Sequence, residues 1–135
     1  MDTEQLIAEF LSGSPHAVVG ASRNRDKYGN KVLRAYLQNR RVVFPVHPSL
    51  DEIEGLAAFH DLASLPQAVH GVSIITPPRV TERVVADAVQ LGIKFIWMQP
   101  GAESEQAVEV AEQAGLHVIW GEPCILVALR FREEA

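Results

Sequence analysis

The sequence predicts an α/β fold, a doubly wound three-layer sandwich built on a mostly parallel sheet of about five strands. Three observations carry this expectation. Five short apolar, β-branched or aromatic runs, Ala17 to Val19, Val42 to Val46, Val72 to Ile75, Phe95 to Met98 and Val118 to Trp120, have the length and character of strands buried on both faces. Helical patterns alternate with them. The segment Gln90-Leu-Gly-Ile-Lys-Phe-Ile-Trp97 is echoed by Gln113-Ala-Gly-Leu-His-Val-Ile-Trp120, each a helix end, a stop glycine and a strand. One recurrence gives two successive helix-to-strand connections and not a repeat protein.

The elements follow in order. Leu6, Ile7, Phe10 and Leu11 recur at helical spacing behind Asp2 and Thr3, either of which can cap, and Gly13 supplies the stop. The first strand ends at Gly20, and a helical pattern runs from Val32 to Leu37. Pro48, Gly55 and Pro66 punctuate an irregular second crossover in which Leu62 to Leu65 forms one helical turn. Val80 to Leu91, behind Pro77-Pro78, and Ser104 to Ala114, behind Gly101, are the clearest helices. The last residues, Arg130 to Ala135, are expected to fray after a short terminal helix.

A chain of 135 residues with 47% hydrophobic content holds one domain, residues 1–135, with a real core. Its net charge of −5 argues against a nucleic-acid partner, which requires a basic face. No apolar run reaches the length of a membrane span. The acidic, polar start Met1-Asp-Thr-Glu-Gln is unlike a secretory signal, so a cytoplasmic location is expected. The single cysteine, Cys124, excludes an internal disulfide and a multi-cysteine metal site.

Local positive charge is concentrated between Arg23 and Arg41, which suits a small anionic ligand. In His16-Ala-Val-Val-Gly-Ala-Ser-Arg-Asn-Arg-Asp-Lys-Tyr-Gly-Asn30 an apolar run stops at a small-residue turn followed by cations. Gly20 and Ala21 let a ligand approach the main chain, Ser22 offers a hydroxyl and backbone N–H groups, and a following helix aims its positive end at the same place. Arg23, Arg25 and Lys27 can neutralise phosphate. The dinucleotide fingerprint G-x-G-x-x-G is absent, so a phosphorylated ligand is expected rather than NAD in particular.

Ligands of open parallel sheets bind beyond the carboxyl ends of the strands. Those ends carry Gly20-Ala-Ser22, Val46-His47-Pro48, Thr76-Pro77-Pro78 and Gln99-Pro100-Gly101. The proline rings offer flat apolar walls for a base, or simply end strands and begin helices. The five histidines, His16, His47, His60, His70 and His117, are scattered singly and form no metal-ligand spacing. His16, His70 and His117 fall near strand starts and read as boundary or surface residues. Trp97 and Trp120 read as core. Ser22 lacks the G-x-S-x-G setting of a serine nucleophile, and no catalytic residue is assigned. Cys124 reads as a buried free thiol, with a mixed disulfide to a thiol-bearing ligand as the alternative.

Taken together, Val18-Val-Gly-Ala-Ser22, Val43-Phe-Pro-Val-His-Pro48, Glu52-Ile-Glu-Gly55, Ser64-Leu-Pro66, Thr76-Pro-Pro78, Trp97-Met-Gln-Pro-Gly101 and Gly115 to Cys124 resemble the small CoA-binding proteins. These have the Rossmann-like fold of the CoA-binding domain of succinyl-CoA synthetase α subunits and NDP-forming acyl-CoA synthetases. The resemblance spans nearly the whole chain. It implies CoA or acyl-CoA across the strand ends, with the diphosphate near Gly20, Ala21 and Ser22 beside Arg23 and Lys27. Val46, His47 and Pro48 would line the adenine and 3′-phosphate pocket, and Thr76 to Pro78 with Gln99 to Gly101 would flank the rest. The family usually has Asn before that proline, where His47 stands. The synthetases' phosphohistidine domain has no counterpart, so a binding module without its own catalytic apparatus is expected. Two alternatives stay open: an NAD(P)-binding oxidoreductase-like protein, and a regulatory subunit acting through a partner protein. A homodimer stays open as well.

Overall fold

Alternation of side chains along each strand builds the molecule, a computed structural model that describes residues 1–134. Strands β1 (His16–Val19), β2 (Val43–Val46), β5 (Gly71–Ile74), β6 (Phe95–Met98) and β7 (His117–Ile119) form one all-parallel sheet in the order β2-β1-β5-β6-β7. Ala17, Val19, Val72, Ile74, Ile96, Met98 and Val118 face one side, where α3 (Pro78–Gln90) and α4 (Glu105–Gln113) cover them. Val18, Trp97 and Ile119 face the other, packed with Phe10 of α1 (Thr3–Ser12), Val32, Leu33 and Tyr36 of α2 (Tyr28–Gln38) and Ile125 of α5 (Ile125–Ala128). This period of two with apolar residues on both faces is the three-layer Rossmann-like sandwich that the sequence predicts.

The order reverses after β1: the chain goes to β2 on one side, then returns past β1 to β5 on the other. The connections leaving β1 and β5 therefore pass to opposite faces, to α2 and to α3, and a crevice opens between them. Gly20 sits at that point with φ +94°, and a Cβ there would lie 1.9 Å from the carbonyl oxygen of Ile75. Gly29, in the first turn of α2, approaches just as closely, since its Cβ would meet the carbonyl oxygen of Gly20 at 1.9 Å. Main chain thus packs on main chain where β1, β5 and α2 converge.

Some elements depart from the expectation. Helix α2 begins at Tyr28, four residues before its apolar stripe, because Gly29 and Asn30 are buried against the β1–α2 loop. The irregular crossover contains a hairpin, β3 (Glu52–Ile53) with β4 (Leu56–Ala57), turning through Glu54 and Gly55, both at positive φ. It then runs alongside β2, where Phe59 N donates to Pro45 O and His47 N to Phe59 O. The single helical turn there is Leu62–Ser64, capped by Asp61. Trp120 lies past the end of β7 and is half exposed, not core, because the strand stops at Ile119 and the chain turns at Gly121. Trp97 is fully buried, its Nε1 donating to Pro123 O.

His16 is the clearest correction among the histidines. It is wholly buried, in contact with the rings of Phe10, Tyr36 and His70, because α1 folds back over the strand starts. Its Nε2 donates to Phe10 O at 2.7 Å, and His70 Nε2 donates to Glu9 O at 2.8 Å. The two imidazoles thereby donate to carbonyls in the last turn of α1, Glu9 O also accepting from Ser12 Oγ.

Burial pushes the His16 pKa down from 6.5 to about 4, opposed by its bond to Phe10 O and helped by the nearby His70 and Arg41. His16 is therefore neutral in the fold and binds a proton more readily when unfolded. Its contribution to stability is complete above pH 6.5 and is lost as pH falls from there toward pH 4. The loss attributable to this residue amounts to about 3 kcal/mol. Urea unfolding as a function of pH checks this: His16→Gln, which keeps a donor for Phe10 O, is expected to flatten the acid limb relative to wild type.

Candidate functional site

At the point where strand order reverses lies a cleft of about 480 Å³, lined by Val19, Gly20, Val46, Pro48, His60, Asp61, Leu62, Thr76, Arg83, Val84, Ala86 and Asp87. Of the residues proposed from sequence, Gly20, Val46, Pro48 and Thr76 line it directly. Ala21, Ser22, Arg23 and Lys27 form the β1–α2 loop that continues from Gly20, while His47 and Pro77-Pro78 neighbour Pro48 and Thr76 in the chain. Gln99, Pro100 and Gly101 stand at the end of β6, outside the lining of this cleft.

The β1–α2 loop is folded by its own polar side chains. Ser22 Oγ accepts from Asn24 N at 3.1 Å, and Asn24 Oδ1 accepts from Asp26 N at 3.0 Å, two successive side-chain turns. The N–H groups of Ala21, Ser22 and Arg23 find no acceptor among the described residues. Helix α2 has Lys27 at its N-cap with no side-chain cap bond, so its first N–H groups are likewise unsatisfied by side chains. Unpaired amides and a helix N-terminus beside one another attract an anion.

Charge is distributed to match. Arg25 is held by Glu54 at 2.6 Å, and Arg23 donates through Nε to Glu52 O at 3.2 Å, both reaching the β3–β4 hairpin. Lys27 is exposed and enters no ion pair among the described residues. Glu54 is held below the usual carboxylate range, first by a hydrogen bond from Asn30 and then by the charge of Arg25, against the opposing effect of burial. A second hollow, about 420 Å³ between α4 and Trp120, is rimmed by Glu103, Glu105, Glu109 and Glu112. That rim repels a phosphorylated ligand, and the switch-point cleft is the candidate because it lies at the carboxyl ends of the strands.

His47 resolves its own departure from the family pattern. Its Nδ1 accepts from Ser49 N at 3.1 Å and Leu50 N at 3.0 Å, the turn-closing bonds that an asparagine side-chain oxygen makes. Nδ1 is thus an acceptor, and the neutral ring carries its proton on Nε2. Thr76 Oγ1 lies 2.7 Å from Oγ1 of the buried Thr81, tying the end of β5 to the first turns of α3, whose N1 residue is Pro78. Gln99 is buried with both ends of its amide engaged: Nε2 donates to Cys124 Sγ at 2.8 Å and Oε1 accepts from Ile125 N at 3.1 Å. Cys124 is a half-buried free thiol in that contact.

Sequence reasoning missed the α3 wall and the far rim, His60, Asp61, Leu62, Arg83, Val84, Ala86 and Asp87. A signal for part of it was present, since Val80, Arg83, Val84 and Asp87 share one face of a helix that starts at Pro78. Among the described residues, no three His, Cys, Asp or Glu side chains converge as a metal site, and no helix is long and apolar enough to cross a membrane.

Fold and cleft define a Rossmann-like α/β chain with its opening at the switch point. A family model described as a CoA binding domain matches residues 15–130, and the chain belongs to that family. A conserved hypothetical protein from Pyrococcus furiosus superposes with a TM-score of 0.79 at 42% identity, over 84% of this chain and 97% of its own. The uncharacterised protein YneT of Bacillus subtilis is 28% identical over 123 residues, 90% of each chain. The ADP-forming acetate–CoA ligase II subunit alpha of Pyrococcus furiosus is 25% identical over 133 residues, 89% of this chain but only 28% of the ligase subunit. The family is thus related to the CoA-binding part of NDP-forming acyl-CoA synthetases.

The close approach at Gly29 gives a direct test of the geometry. Gly29→Ala, which directs a methyl into the Gly20 carbonyl, is expected to cost about 2 kcal/mol or more, against about 1 kcal/mol for Gly92→Asn, where the space is open and only the left-handed backbone at φ +74° resists the side chain. Chemical denaturation of the two variants compares them.

Proposed function

We propose that this chain binds CoA or an acyl-CoA non-covalently in the switch-point cleft, as a binding module without catalytic apparatus of its own. The observation that carries the reading is the run of unpaired N–H groups from Ala21 to Arg23, beside the start of α2 and following directly on Gly20, which lines the cleft. In this reading the diphosphate sits on those amides, with Lys27 and the outer nitrogens of Arg23 offsetting its charge. The adenosine end enters between Pro48, Val46, Thr76 and Val84, where proline and valine surfaces pack on a base. The 3′-phosphate is left toward the rim that carries Arg83 and His60. Membership of the CoA binding domain family supports the same ligand.

Val46-His47-Pro48-Ser49 supplies no acidic side chain directly after β2, where a nicotinamide dinucleotide site holds its ribose hydroxyls. Isothermal titration of the chain with CoA, acetyl-CoA, NADH and NADPH in parallel tests the proposal. Saturable binding of the CoA compounds alone is expected, and selective binding of a nicotinamide nucleotide, or of none, rejects it. Ser22→Asp places a carboxylate against the diphosphate and is expected to abolish CoA binding at millimolar ligand, while thermal unfolding stays within a few degrees of wild type.

A further inference from the structure

Behind the loop lies a buried polar relay that the binding reading does not use. Asn30 is fully buried in the first turn of α2. Its Nδ2 donates to Ser22 O at 2.8 Å and to Glu54 Oε2 at 3.0 Å, and its Oδ1 accepts from Arg34 Nε at 2.6 Å. Two acceptors on one side and a donor on the other fix the orientation of the amide without ambiguity. Arg34, also buried, extends Nη2 to Arg25 O at 2.8 Å and to Glu133 Oε1 at 3.3 Å, with its guanidinium 5.2 Å from the centre of the Phe131 ring. Two carbonyls of the β1–α2 loop, Ser22 and Arg25, are therefore drawn toward α2 by neighbouring side chains of one helix face.

The consequence follows from peptide geometry. The bond between Ser22 and Arg23 is trans, so its C=O and N–H point in opposite directions. With Ser22 O held against Asn30, the N–H of Arg23 is turned away from α2, and no acceptor of the described residues meets it. Asn30 determines which way this peptide faces, while Glu54 and Arg34 hold Asn30.

The carboxyl-terminal segment reaches the same relay. Gln38 and Arg132 exchange two hydrogen bonds, at 2.7 and 3.0 Å, and Asn39 Nδ2 donates to Leu129 O at 2.7 Å, strapping the segment along α2. Glu133 then pairs with both Arg34 and Lys31.

We infer that Asn30 is the positioning residue for the anion-binding loop and that the carboxyl-terminal segment tunes the same loop through Glu133 and Arg34. This rests on the binding reading above. The test uses the full chain, with CoA affinity from titration calorimetry and amide shifts from nitrogen-15 NMR. Asn30→Asp keeps the volume and the acceptor for Arg34 but loses the donor to Ser22 O and faces the Glu54 carboxylate. It is expected to weaken CoA binding at least about tenfold. The Arg23 amide is expected to lose its CoA-induced shift, while resonances of the α3–α4 face stay at wild-type positions. Glu133→Gln, at a solvent-facing site, is expected to weaken binding about threefold with the fold unchanged.

A wild-type chain that fails to bind CoA removes the binding reading itself. If wild type binds and both variants stay within twofold of it, the positioning role is overturned and the binding reading stands. Where Asn30→Asp does not fold, Glu133→Gln decides alone, and undiminished affinity in it overturns the inference.

Discussion

Everything at the cleft depends on three stretches of main chain meeting with no side chain between them. The end of β1 presses on the end of β5 at Gly20, and the first turn of α2 presses on the Gly20 carbonyl at Gly29. A Cβ at Gly20 would force the end of β1 from the end of β5, and one at Gly29 would force α2 from the end of β1, so either would displace the unpaired amides between Gly20 and Lys27. Parallel strands make this arrangement available because their carboxyl ends all open on one side, and the reversal of order after β1 leaves room there. The close approach then converts that room into a crevice lined by backbone on one side and by α3 on the other.

Much of this architecture was legible in the sequence because its causes are local. Strands buried on both faces must be short apolar runs, and Val18-Val-Gly-Ala-Ser22 announces a turn that only a small residue completes. Trp120 and His16 misled for a shared reason. Their neighbours along the chain are apolar or strand-like, but their exposure is decided by what packs over them from elsewhere. Nothing covers Trp120 beyond the end of β7, whereas α1 lies over His16. The candidate cleft was legible at the ends of β1, β2 and β5 and not on its far walls, because Arg83 reaches the cleft only through the placement of α3, and His60 and Asp61 only through the course of the crossover.

The β3–β4 hairpin shows what sequence reasoning loses in an irregular segment. Two-residue strands leave no periodicity, and Pro48, Gly55 and Pro66 mark turns without saying what they hold. In the structure the hairpin is the outer support of the β1–α2 loop: Glu52 O receives Arg23, and Glu54 receives Arg25 and Asn30. Part of the local basic charge is thus consumed in shaping the loop. Composition alone could count the cations but could not separate those neutralised by the hairpin from those left for a ligand, and in a chain of net charge −5 that separation decides how strongly an anion is drawn in.

The two faces of the sheet divide the work. Against α3 and α4 the strands present only apolar side chains, so that face supplies burial with little demand on orientation. Against α1 and α2 they include Ser73, bonded to the hydroxyl of Tyr36 at 2.7 Å, and the same layer holds His16, Asn30 and Arg34. Most of these buried polar atoms are paired, His16 Nδ1 and Arg34 Nη1 excepted, and pairing tolerates few arrangements. An apolar interface between α2 and the sheet would let the helix rotate or slide by fractions of a turn at small cost. With Tyr36 tied to β5, Asn30 to the loop and Asn39 to the end of α5, the helix has one register. That register sets the direction in which the loop's amides point.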